Sequence, residues 1–86
     1  MANPTSSIRE SERESRVAVQ DYVKAIWTAE EAAEGGFAGT GVIAEYLGIS
    51  SASVSGMVRR LEVDGLVVRE PYRGVRLTTS GRALAL

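Results

Sequence analysis

The sequence predicts a mainly α-helical domain with one small β-hairpin, in the order helix, helix, helix, strand, strand, helix start. Three observations carry that prediction. Val19, Tyr22, Val23, Ile26 and Trp27 fall at i, i+3, i+4, i+7 and i+8, the apolar stripe of one helix. Further on, "VIAEYLGIS" and "SASVSGMVRRLEVDG" read as two shorter helices joined by a turn containing Gly48. Finally, "LVVREPYRGVRLTT" alternates apolar and polar residues on either side of a turn with proline early and glycine late.

At 86 residues the chain has room for one domain with a thin core, and 44% apolar with 24% charged residues is a globular balance. The absence of cysteine excludes disulfides and thiolate metal sites and fits a reducing cytoplasm. The absence of histidine removes the commonest general base and transition-metal ligand. No apolar run approaches the roughly 20 residues of a membrane span, and the N-terminus lacks the apolar stretch of a secretory signal. The net charge of −1 argues against an indiscriminate polyanion binder. Its distribution says more. Met1 to Glu34 is net negative, whereas Gly35 to Leu86 is net positive and every basic residue there is arginine, the side chain suited to phosphate and guanine.

Residues 1–15, with Pro4 and several serines, form a polar lead-in, and 16–86 form the domain. Gly35-Gly36 stops the first helix, with Tyr22 and Trp27 as core anchors. Thr40 caps the second, with Ile43, Tyr46 and Leu47 facing inward, and Gly48 closes it. The third starts at Ser50 or Ser51, buries Val54, Val58 and Leu61 with Met57 beside them, and ends at Asp64-Gly65. Leu66–Glu70 and Val75–Thr79 are the strands, with Tyr72 and Arg73 at the tip. A last helix, capped by Thr79 or Ser80, breaks off within an apolar stripe at Leu86, so the natural protein is expected to continue or to pack this end on another subunit. Together these elements make a three-helix core plus a two-stranded wing, the winged helix-turn-helix arrangement.

The third helix carries the functional expectation. Opposite its buried stripe lie Ser51, Ser55, Arg59 and Glu62, with Ala52 and Gly56 alongside. A helix that enters a DNA major groove keeps one face slim so that its backbone approaches closely. Serine hydroxyls and free N–H groups at its start suit phosphate oxygens. Arg59 and Arg60, further on, reach phosphates or base edges, and Tyr72, Arg73 and Arg76 on the wing reach the backbone or the minor groove. At Gly56 a rival reading is close packing against a neighbouring helix. A rival for the whole chain is a protein–protein module whose partner meets Glu30, Glu31 and Glu34. Catalysis is not expected: "GGFAGTG" lacks the lysine and preceding strand of a phosphate loop, and no catalytic constellation is evident.

The segments "QDYVKAIW", "IAEYLGISSASVSGMVRRLEVDGLV" and "YRGVRLTTSGRALA" cover nearly everything from Val19 to Ala85. They resemble the N-terminal DNA-binding domain of the metal-dependent repressors that include the diphtheria toxin repressor and the manganese transport regulator. A winged helix of the multiple-antibiotic-resistance type is the nearest alternative, and "QDYVKAIW" favours the metal-dependent family. The resemblance implies a cytoplasmic homodimeric repressor, activated by Fe2+ or Mn2+ and bound to a palindromic operator in double-stranded DNA. It places recognition-helix contacts at Ser50, Ser51, Ala52, Ser53, Ser55 and Gly56, and one metal ligand at Asp21; Thr40, at the start of the preceding helix, is a further candidate DNA contact. Lys24 stands where manganese-type members carry a glutamate. The remaining ligands belong to a continuing last helix and a following domain, so these 86 residues alone cannot complete the metal site.

Overall fold

A computed structural model describes residues 18–86. The polar lead-in assigned to residues 1–15 lies outside the described residues. Four helices and one hairpin follow in the expected order: α1 (Val19–Ala32), α2 (Thr40–Leu47), α3 (Ser51–Val63), β1 (Val67–Glu70), β2 (Gly74–Leu77) and α4 (Thr79–Ala85). No single helix among the described residues is long and apolar enough to cross a membrane.

The core forms where α1 lies against α2, β2 and α4. Tyr22, Val23, Ala25, Ile26 and Ala29 of α1 are buried with Ile43 and Ala44 of α2, and with Val54, Val58 and Leu61 of α3. Val67, Val75 and Leu77 close the core from the hairpin. The α1 stripe is thus the expected one, but its first member, Val19, is exposed, and Trp27 lies at the core's edge.

Two assignments, one inward and one outward, need correction. Tyr46 is 50% exposed, and Ala44 is buried in its place. The two residues flank the Ile43 direction on opposite sides of the helix. With α1 and α3 both packed on α2, the side facing them takes the smaller residue and the bulky phenol is turned to solvent. Glu30, assigned to an acidic surface, is only 5% exposed. It lies one residue beyond Ala29, where β2 and α4 cross α1. There its carboxylate accepts from the Leu77 backbone N–H at 3.3 Å and pairs with the Arg82 guanidinium at 2.8 Å.

Helix ends are set by local chemistry. Gly48, at φ 67°, ends α2 in the left-handed conformation, and its N–H donates to Ala44 O at 2.8 Å. Three residues later α3 begins, with Ser50 as its cap: Ser50 Oγ accepts the Ser53 backbone N–H at 3.1 Å. The chain turns through 108° between α2 and α3, the helix-turn-helix geometry. Thr40 is not the cap of α2; Gly39 holds that position without a side-chain bond and Thr40 is the first helical residue. Thr78, rather than Thr79 or Ser80, caps α4. Its Oγ1 accepts the Gly81 N–H at 3.1 Å and donates to Gly65 O at 2.7 Å, tying α4 to the end of α3.

The hairpin is antiparallel, with Val67 opposite Leu77 and Glu70 opposite Gly74. Both strands are slightly shorter than the sequence suggested. The hairpin is not left alone in water. Ala38 pairs with Val75 on its free edge through Ala38 N–H to Val75 O at 2.7 Å and Val75 N–H to Ala38 O at 2.8 Å. This extra bridge supplies the support that a two-stranded ribbon lacks by itself.

Candidate nucleic-acid interface

The outward face of α3 is built from the residues the buried stripe leaves over. Val54, Val58 and Leu61 turn inward, so Ala52, Ser55, Gly56, Arg59 and Arg60, spaced as one helical face, turn outward, and all five are exposed. Ser51 is also exposed, and Ser53 is half-buried. At Gly56 a Cβ added to the backbone would meet nothing within 4 Å among the described residues. Among the described residues no neighbouring helix demands this glycine, and it lies on the exposed face of α3. Ser50 is committed to capping, because its hydroxyl also donates to Ser53 Oγ at 2.9 Å. The hydroxyls of Ser51 and Ser55 have no hydrogen-bond partner among the described residues.

Charge is unevenly available. Among the described residues Arg82 is tied to Glu30, Arg69 lies 3.7 Å from Glu62, and Arg73 lies 3.6 Å from Glu70. The last two pairs are exposed and long, and such contacts are weak in water. Arg59, Arg60 and Arg76 have no carboxylate partner among the described residues. The wing tip presents Tyr72 fully to solvent, and its φ of 68° is a conformation that non-glycine residues rarely adopt.

A cleft of about 580 Å³ separates the wing from the helices. Thr40 and Gly39 line it at the start of α2, Glu62 lines it from α3, and Arg69 and the turn from Pro71 to Gly74 line it from the wing. The structure therefore groups Thr40 with Tyr72 and Arg73, while the α3 serines, Ala52 and Gly56 share the adjoining helix face. Reading the sequence missed two contributors. Arg69 faces the cleft, and Phe37, half-buried, has the guanidinium carbons of both Arg73 and Arg76 5.9 Å from its ring centroid. An isolated aromatic between glycines and alanine carries no periodic signal that would have pointed to the wing.

Asp21 is an exposed residue in the first turn of α1, and its carboxylate accepts the Ala18 backbone N–H at 3.2 Å, a capping contact. Lys24 is exposed one turn further on. Among the described residues no three histidine, cysteine or acidic side chains converge in a way that could hold a metal ion. One carboxylate does not satisfy the coordination that Fe2+ or Mn2+ requires, so Asp21 fits such a site only with donors from elsewhere.

A helix-turn-helix with a bare-faced second helix, followed by an arginine-bearing hairpin, defines a winged-helix DNA-binding domain. Comparison with known proteins narrows the class. Residues 17–75 match the family described as "Iron dependent repressor, N-terminal DNA binding domain", and the chain belongs to that family. Its relatives include the HTH-type transcriptional regulator MntR of Geobacillus kaustophilus, 39% identical over 66 residues, and that of Bacillus subtilis, 36% identical over 66 residues. Each match covers 77% of this chain and 45% of the relative, so the matched stretch spans under half the length of these regulators. These are transcription regulators by name.

Proposed function

We propose that this chain is the sequence-specific DNA-binding part of a metal-dependent transcriptional repressor. In this reading α3 lies in the major groove. Ser51, Ala52, Ser53, Ser55 and Gly56 approach base edges and the sugar–phosphate chain, with Ser50 holding the helix start. Arg59 and Arg60 meet phosphates or bases, Thr40 meets the backbone beside the groove, and Tyr72, Arg73 and Arg76 follow the adjacent backbone or minor groove. The single observation that supports this most is Gly56 opening on empty space in the middle of an exposed helix face. A glycine costs a helix about 1 kcal/mol relative to alanine, and no contact among the described residues offsets that cost. With so small a surface, readout leans on thymine methyls, backbone approach and duplex shape.

The protein–protein alternative loses part of its footing, because Glu30 is buried and only Glu31 and Glu34 of the supposed acidic patch remain exposed. Membership of an iron-dependent repressor family supports Fe2+ or Mn2+ as the effector of the longer protein, a homodimer on a palindromic operator in the cytoplasm, and no enzymatic role. A dimer would place its two α3 helices about one duplex turn apart, or a multiple of it. Selection of duplexes from a random pool tests the reading. A two-fold symmetric consensus is expected, with affinity falling steeply as salt rises. Arg59→Ala/Arg60→Ala should flatten that salt dependence by about two contacts' worth. Failure of the 86-residue chain to retard any duplex at low salt would overturn the proposal.

A further inference from the structure

We infer that Phe37 is a positioning residue for DNA binding: its ring is the platform that holds the Arg73 and Arg76 guanidinium groups on the wing. The inference rests on the DNA-binding reading above and assigns a role to a residue outside the recognition helix and outside the wing.

Both guanidinium carbons lie 5.9 Å from the Phe37 ring centroid, within the range of cation–π attraction. Arg73 sits in the hairpin turn and Arg76 in β2, so one ring serves an arginine of the turn and one of the strand. The backbone beside the ring is itself held. Phe37 immediately precedes Ala38, whose N–H and C=O both bond to Val75, between the two arginines in sequence. Gly74 allows this approach, because a Cβ there would fall 2.3 Å from Ala38 O. A long arginine side chain loses considerable rotamer entropy when it meets a phosphate, and a stacked guanidinium has lost part of it beforehand. Two like charges on one ring also repel, and a polyanion laid against the wing relieves that repulsion.

The test uses the full 86-residue chain and a short mixed-sequence duplex at low salt. Phe37→Leu should weaken binding about three- to tenfold, through the part of the rotamer freedom that the two released arginines regain and must lose again on meeting phosphate, and should reduce the salt dependence. Phe37→Tyr should retain wild-type affinity. In an Arg73→Ala/Arg76→Ala background, Phe37→Leu should have no further effect. In the free protein, the side-chain protons of Arg73 and Arg76 should carry upfield ring-current shifts that Phe37→Leu removes. An equal penalty for Phe37→Leu with and without the arginines would overturn the inference, as would absent ring-current shifts in the wild type. If Arg73→Ala/Arg76→Ala weakens binding but Phe37→Leu does not, only the platform falls. If the wild type binds no duplex, the DNA-binding reading falls and the platform with it.

Discussion

Gly56 and Gly74 are expected to respond to the same substitution with opposite signs. At Gly56 the helix backbone is ordinary and the space beyond is open, so Gly56→Ala should raise stability by about 1 kcal/mol through helix propensity and a less flexible unfolded chain. At Gly74 the backbone sits at φ +120° and a Cβ would strike the Ala38 carbonyl. Gly74→Ala should therefore cost at least about 2 kcal/mol by combining backbone strain with a steric clash. Thermal unfolding of the two variants checks both signs. Duplex binding adds a second reading at Gly56: the more stable variant should bind its selected duplex less tightly, because a methyl group then stands on the face that approaches DNA. A stabilised variant with unchanged affinity would mean that the bare backbone at Gly56 is not used.

At the scale of elements, what was legible in the sequence was what periodicity controls. The stripe Val54, Val58 and Leu61 could be assigned because a helix packed on one side repeats every three or four residues, and the outer face followed by subtraction. Tyr46 and Glu30 were misassigned because their environments depend on partners far away in sequence. Nothing near Glu30 says that Leu77 and Arg82 arrive beside it from 47 and 52 residues away. The wing's third pairing partner, Ala38, was invisible for the same reason, and with it the place of Phe37. The Glu30–Arg82 pair joins α1 to α4, and the bond to Leu77 adds β2. Its two halves are unequal: the Arg82 side chain is 38% exposed and the Glu30 side chain 5%. Arg82→Ala leaves a buried carboxylate uncompensated, with its Oε2 already lacking a hydrogen-bond partner, and should cost about 3 kcal/mol. Glu30→Gln frees a guanidinium that can turn to water and leaves an amide oxygen able to accept from Leu77 N–H. That change should cost nearer 1 kcal/mol. Chemical denaturation of the two variants decides between this order and its reverse.

For the molecule as a whole, a net charge of −1 must be reconciled with binding a polyanion. The reconciliation lies in placement. Acidic residues concentrate in Met1 to Glu34, and the arginines concentrate on α3, the wing and α4. On the wing side, however, Glu62 faces Arg69 and Glu70 faces Arg73. These exposed pairs contribute at most about 1 kcal/mol each to folding, so their main consequence is electrostatic. Each carboxylate offsets a positive charge that would otherwise meet a phosphate, and each repels the duplex directly. Glu62→Gln/Glu70→Gln should leave the fold nearly as stable and raise affinity for a mixed-sequence duplex several-fold at low salt. It should also steepen the fall of log affinity with log salt by up to about two phosphate contacts. Discrimination between the selected duplex and mixed sequence should shrink, because the gain is independent of base identity. If affinity instead drops, the carboxylates act as braces that hold Arg69 and Arg73 toward the cleft. In that case the wing's charge is organised by three partners, Glu62, Glu70 and the Phe37 ring, rather than restrained by two of them.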